Sequence, residues 1–150
     1  MFIGEYTISM DVKGRIAVPA KFRSRLETQA VITRGLDKSL FIYPKQEWEV
    51  IAGKLAALPL SKANSRAFAR LMLAGAWDIE IDKQGRIIIP EYLRQFANLT
   101  KKIVAAGLYD RIEIWDEEAW RIYKMSTERE STAIAEGLGE LGVWCMFLSF

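Results

Sequence analysis

The sequence predicts a mainly β protein with helices, an α+β fold of two tandem modules related by a pseudo-two-fold axis. Three observations predict it. The segment Asp11-Val12-Lys13-Gly14-Arg15-Ile16-Ala17-Val18-Pro19 returns, shifted by 71 residues, as Asp82-Lys83-Gln84-Gly85-Arg86-Ile87-Ile88-Ile89-Pro90. Short runs that alternate polar and apolar residues are bounded by Asp, Gly and Pro, as half-buried strands between turns are. Helix-period apolar spacing appears only in short stretches, such as Trp48, Ile51, Leu55 and Leu58.

The repeat extends beyond its D-x-x-G-R-I-x-[VI]-P core. Arg23 aligns with Arg94 at the same shift, and at a shift of 72 Gly35-Leu36, Ile42 and Trp48 align with Gly107-Leu108, Ile114 and Trp120. Ten identities in register, with a single slip, mark two homologous modules.

Each module reads alike. Glu5–Ser9 and Trp77–Ile81 alternate as strands, and turns follow at Asp11–Gly14 and Asp82–Gly85. Asp starts such turns through its side-chain acceptor, and Gly supplies positive φ. The next strands, Arg15–Val18 and Arg86–Ile89, run into a proline suited to open a helix. Short helices are expected over Ala20–Leu26 and Glu91–Phe96. Strands follow near Ala30–Thr33 and Ser39–Tyr43, and again near Lys102–Ala106 and Arg111–Trp115. A helix from about Lys45 closes the first module, and Trp48 and Trp120, at equivalent helix starts, are expected to pack under the sheet. Asp116 is placed to cap its counterpart, which carries Trp120 and Tyr123. Pro59 breaks the chain between modules, Ser61 can cap a linking helix to about Ala74, and Phe68, Leu71 and Met72 are its expected buried face.

Composition narrows the function classes. No apolar run approaches the roughly 18–20 residues that span a bilayer, and the opening Met1-Phe2-Ile3-Gly4-Glu5-Tyr6 lacks signal-peptide character, so a cytoplasmic protein is expected. Histidine is absent and Cys145 is the only cysteine. That excludes an intrachain disulfide, a Cys/His zinc site and a histidine general base. No glycine-rich phosphate loop precedes a helix. No enzyme, cofactor, metal or small-molecule substrate is expected. Net charge is only +2, but residues 1–75 hold the basic excess and residues 76–150 carry nine Lys/Arg against thirteen Asp/Glu. The imbalance suggests one charged face.

The turns are the informative elements. A tip that presents Lys13 and Arg15 beside Gly14 can approach a phosphate, and arginine reads guanine edges bidentately. Lys83, Gly85 and Arg86 repeat the pattern. Asp11 to Arg25 holds five bases and one acid, whereas Asp82 to Phe96 holds three bases and two acids, so the first tip is expected to bind anions more strongly. The structural alternative stands beside this: Asp and Arg four apart across a turn can simply pair, and the turn alone demands glycine. Arg23 and Arg94, on the helices after the tips, can equally brace a tip or touch phosphate. Lys62, Arg66 and Arg70 form a row that suits either a solvated face or a nucleic-acid backbone.

At these residues the sequence resembles the MraZ family, within the AbrB/SpoVT-like swapped-hairpin superfamily. The resemblance runs from Met1–Tyr6 through Asp11–Phe22, Gly35–Leu60, Gly75-Ala76 and Asp82–Pro90 to Glu113–Asp116, covering residues 1 to about 124. It implies two swapped-hairpin β-barrel modules, at 5–47 and 76–119. Linking helices occupy 48–75, and a C-terminal helix and apolar tail occupy 120–150. It also implies a sequence-specific regulator, usually a repressor, of the division and cell-wall gene cluster including its own promoter. Such a protein binds G-rich direct repeats in double-stranded promoter DNA as a ring-like homo-oligomer at the nucleoid. Carried over, Arg15 and Arg86 contact DNA with Lys13 and Lys83, Asp11 and Asp82 orient the arginines, and Gly14 and Gly85 form the turns. Arg23 and Arg94 remain secondary contacts. Two features depart from the pattern: Trp77 and Ile79 add bulk before the second tip, and Val143–Phe150 is strongly apolar. The tail fits a subunit contact, a membrane-attracted segment or an artefact of the chain's 3′ end. The competing class is a ring-forming protein-interaction scaffold without DNA binding.

Overall fold

The computed structural model describes residues 1–27 and 29–141. Residues 1–117 form one compact unit and those from 118 onward a second. The first carries strands β1 (Phe2–Ser9), β2 (Arg15–Ala17), β3 (Gln29–Arg34), β4 (Leu40–Pro44), β5 (Trp77–Glu80), β6 (Arg86–Ile88), β7 (Lys102–Tyr109) and β8 (Arg111–Asp116). Its helices are α1 (Ala20–Leu26), α2 (Lys45–Ala56), α3 (Ala63–Ala69) and α4 (Glu91–Phe96). The helices after the two turns have the bounds the sequence predicts.

Strand pairing interleaves the two repeats. A six-stranded antiparallel sheet runs β1-β7-β8-β4-β3-β5, and β2 and β6 form a separate two-stranded ribbon. The first strand of each repeat therefore lies on the other repeat: β1 pairs with β7 over its whole length, and β5 pairs with β3. The ribbon is likewise shared, with Arg15 opposite Ile88, Ile16 opposite Ile87 and Ala17 opposite Arg86. Val18 N–H donates to Gly85 O and Ile89 N–H donates to Gly14 O, both at 2.9 Å. Equivalent residues thus meet across a local two-fold.

Burial follows that symmetry. Ile16 and Ile87, Val18 and Ile89, and Phe22 and Leu93 are buried in one core under the sheet. There Leu40, Ile42, Ile112 and Ile114 supply the sheet's inner face. Alternate β4 residues, Phe41 and Tyr43, face a second cluster with Leu55 and Met72, against which Trp48 and Ile51 of α2 pack. Both faces of β4 are thereby covered, which explains its unbroken apolar run. Burial pushes the Tyr43 hydroxyl up to about 12.

Proline starts α1, α2 and α4 in a shared way. Pro19, Pro44 and Pro90 occupy the N-cap with ψ of 135°, 147° and 148°. The carbonyls of Pro19 and Pro90 accept the N–H groups of Phe22 and Leu93, at 2.8 and 3.1 Å. Proline sits one place earlier than the sequence reading put it, and its missing N–H costs nothing there.

The linking segment differs from expectation. The helix starts at Ala63 with Lys62, not Ser61, at its N-cap, and it widens to a π turn over Arg70–Ala74. The wider turn rotates the apolar residues relative to an ideal helix: Met72 is buried, Leu71 half-buried, and Phe68 is 37% exposed rather than buried. Thr33 Oγ1 donates to Met72 O at 2.6 Å and Arg34 Nη1 to Leu71 O at 3.3 Å, which ties the π turn to β3. Before the second tip, Ile79 is buried in the core while Trp77, on edge strand β5, is 52% exposed.

The second unit carries most of α5 (Glu117–Arg129) and all of α6 (Ser131–Gly137). Trp120 is half-buried and stacks on Tyr123 with ring centroids 6.5 Å apart. The apolar segment Val143–Phe150, with Cys145, lies outside the described residues.

Ile16→Ala or Ile87→Ala removes a fully buried side chain at the ribbon centre and should destabilise the protein by about 2–5 kcal/mol. Ile88→Ala, on the 56% exposed neighbour, should change it by less than about 0.5 kcal/mol. Urea denaturation followed by circular dichroism reads both; equal losses at Ile87 and Ile88 would contradict the assigned faces.

Candidate nucleic-acid interface

Each tip is a turn built on its aspartate. Asp11 Oδ1 accepts the backbone N–H groups of Lys13 and Arg15, both at 2.9 Å, and Gly14 N–H donates to Asp11 O at 3.0 Å. Asp82 repeats this with Gln84 at 2.8 Å, Arg86 at 2.9 Å and Gly85 at 2.9 Å. Gly14 and Gly85 have φ of 81° and 75°, a region that a β-carbon penalises by about 1–2 kcal/mol.

The second carboxylate oxygen holds the arginine. Arg15 Nε donates to Asp11 Oδ2 at 2.6 Å, and Arg86 Nε donates to Asp82 Oδ2 at 3.0 Å. Both pairs are about one-third exposed, so their worth to stability is small. Their consequence is orientation. With Nε committed to the turn, each guanidinium keeps its two terminal amines for other partners.

Strand alternation sets where those amines lie. Ile16 and Ile87 point inward, so Arg15, Ala17, Arg86 and Ile88 share the outer face of the ribbon. Arg15 and Arg86 stand two residue positions apart along it, about 7 Å, and one strand spacing of about 4.8 Å across.

The carboxylates respond to these contacts. The Arg15 N–H foremost, with the Arg15 guanidinium and the Lys13 N–H, holds the Asp11 carboxyl below the ordinary range against the opposing effect of desolvation. The Arg86 N–H, Arg86 guanidinium and Gln84 N–H do the same for Asp82. A depressed pKa means the aspartate–arginine pair persists across neutral pH and is lost only as pH falls through that lowered value.

The structure separates other sequence-predicted cations. Lys13 and Lys83 lie on the exposed tips. Arg23 and Arg94 do not sit at their own repeat's tip. A β-carbon built on Gly14 would fall 2.8 Å from Arg94 Cζ, and one on Gly85 would fall 2.8 Å from Arg23 Cζ. Each arginine braces the turn of the opposite repeat, an arrangement the equal spacing within each repeat conceals. The row on the linking segment is broken, because Arg66 Nη1 donates to Leu60 O at 2.8 Å while Lys62 and Arg70 are exposed. The outward Ile88 was also missed, since the sequence alone does not reveal the ribbon's partner strand.

Among the described residues no group of three or more His, Cys, Asp or Glu side chains is placed to hold a metal. No helix there is long and apolar enough to cross a membrane. Fold and site together define a two-repeat α+β protein that offers paired arginine tips on a shared ribbon.

Comparison with known proteins places it more closely. The family described as "MraZ protein, putative antitoxin-like" matches residues 1–71 and again 72–138, once for each repeat. A protein of Halothermothrix orenii named "Transcriptional regulator MraZ" is 48% identical over 143 residues, covering 95% of this chain and all of its own. Proteins of the same name from Thermoanaerobacter pseudethanolicus and Carboxydothermus hydrogenoformans are 47% and 46% identical, covering 95% and 91% of this chain and 100% and 95% of their own. The chain belongs to the MraZ family, a family of transcriptional regulators and not of enzymes.

Asp11 should titrate below the ordinary aspartate midpoint of about 3.9 in a carboxyl-detected NMR titration. Arg15→Ala should raise it only part of the way, because the backbone donors remain. A midpoint at or above the ordinary value in the wild type would contradict the turn geometry.

Proposed function

We propose that this protein is a sequence-specific DNA-binding transcriptional regulator that reads duplex DNA with the outer face of the β2–β6 ribbon. The observation that carries the reading is the placement of Arg15 and Arg86 on one outward face, each held through Nε by its own aspartate, which leaves its two terminal amines uncommitted to the turn. A two-stranded ribbon fits the major groove, and arginine pairs bidentately with guanine O6 and N7. Lys13 and Lys83 add phosphate contacts, Asp11 and Asp82 orient the arginines, and Gly14 and Gly85 permit the turns. The exposed Ile88 and Ala17, opposite Arg15 and Arg86 on the ribbon, give the face an apolar surface suited to thymine methyls.

In this reading the repeats at 5–47 and 76–119 are swapped-hairpin modules of the AbrB/SpoVT-like kind. The pairing of β1 with β7, β5 with β3 and β2 with β6 supports that assignment. Residues 48–75 link the modules, and 120–150 form a C-terminal helix and tail. The target is the promoter of the division and cell-wall cluster, including the protein's own, bound at G-rich direct repeats with repression as the outcome at the nucleoid. Subunits assemble as a ring-like homo-oligomer. Exposed Ile122, Met125, Ile134 and Leu141 support subunit contact through the second unit. Repeated tips around a ring raise avidity without new contacts, and direct repeats suit such a surface better than a single palindrome does.

The test is binding to the duplex immediately upstream of the protein's own coding sequence, measured by anisotropy across a salt series. Loss of one bidentate guanine contact is worth about 1–3 kcal/mol, so Arg15→Ala should weaken binding roughly 5- to 150-fold. Arg86→Ala should weaken it less, because fewer cations and more acids surround the second tip. Failure of the wild type to bind that duplex at low salt would overturn the reading.

A further inference from the structure

Arg23 and Arg94 differ from the other ribbon cations in what holds them. Arg15 and Arg86 are tied to aspartates of their own turns. Among the described residues Arg23 and Arg94 have no carboxylate or carbonyl partner. Arg94 Nε is buried with no hydrogen-bond partner at all. A buried donor without an acceptor is unfavourable in the free protein.

The surroundings of the orphaned donor are those of an anion site. The Arg94 guanidinium packs against Gly14 in the space a side chain would take, and Lys13 flanks that glycine on the exposed tip. Arg23 lies against Gly85 in the same way, with Lys83 on the same tip. A planar guanidinium beside a bare backbone turn and a lysine matches a phosphate group in charge and geometry.

We propose that the protein carries two composite phosphate sites, one made of the Gly14 turn with Arg94 and the other of the Gly85 turn with Arg23. Each grip on the nucleic-acid backbone is then assembled from both repeats. The inference rests on the DNA-binding reading and adds a specific connectivity to it. Along the chain Arg94 is close to Lys83 and Arg86, but in function it belongs with Lys13 and Arg15. A tip whose opposite arginine is lost keeps its own aspartate–arginine pair and loses a phosphate contact.

The experiment is a double-mutant cycle with the duplex upstream of the coding sequence and with a scrambled duplex of the same length. Arg94→Gln keeps the side-chain stem and removes the charge. It should weaken binding to both duplexes alike and lower the magnitude of the log affinity–log salt slope by about 0.9 for each site lost. Arg94→Lys should keep the slope. The effect of Arg94→Gln should be non-additive with Lys13→Ala and additive with Lys83→Ala, with Arg23→Gln showing the reverse. A thermal melt checks that each variant folds, and Arg23→Gln gives an independent reading should Arg94→Gln fail to. Weaker binding with an unchanged slope, or coupling of Arg94 to Lys83, would overturn the composite sites while leaving DNA binding intact. Absence of wild-type binding to either duplex would overturn both.

Discussion

The antiparallel pairing of β2 with β6 is the constraint from which the rest of the molecule follows. It joins two segments 71 residues apart, places Ile16 against Ile87 in the core, and leaves Arg15 and Arg86 outside. A three-residue strand cannot hold itself flat. Here each is held by its counterpart, by the reciprocal Val18–Gly85 and Ile89–Gly14 hydrogen bonds, and by the shared core beneath. The two tips consequently share one rigid platform instead of moving on separate modules.

On that platform, electrostatics does the positioning and adds little to stability. The aspartate–arginine pairs are partly exposed, and such pairs contribute at most about 1 kcal/mol. Their use lies in engaging Nε and leaving the two terminal guanidinium nitrogens of each arginine uncommitted. The glycine of each turn serves two ends. Its positive φ closes the turn around the aspartate, and its missing β-carbon admits the arginine of the other repeat. The same residue thus sets local backbone shape and long-range packing, which is why the motif returns whole in the second copy.

Local features were legible in the sequence. The D-x-x-G-R-I-x-[VI]-P repeat foretold turn, strand and helix in both halves, and α1 and α4 have the predicted bounds. The structural reading of Asp11 and Arg15 describes what is present, since the pair forms across the turn through the arginine's Nε. Strand partnership was not legible, because pairing between distant residues leaves no periodic trace. For that reason the crossing of Arg23 and Arg94 to opposite tips was invisible, although their equal spacing after each turn was a signal that both had a role. The π turn after Ala69 was not legible because it is tied to β3 through Thr33 and Arg34 and is not set by local propensity. The start of β1 at Phe2 was hidden for a related reason. The exposed Ile3, Gly4 and Glu5 do not alternate, and only pairing with β7 makes them strand.

Methyl-detected NMR of the isoleucines during titration with the upstream duplex tests the ribbon-face account most directly. Ile88 lies directly opposite Arg15 and two residues from Arg86 on the outer face, while Ile16 and Ile87 lie behind it. The account predicts a large saturable shift of the Ile88 methyl with little movement of Ile16 or Ile87. An unmoved Ile88 alongside shifts at Ile122 or Ile134 would contradict it, because the duplex would then be held by the second unit and not by the ribbon.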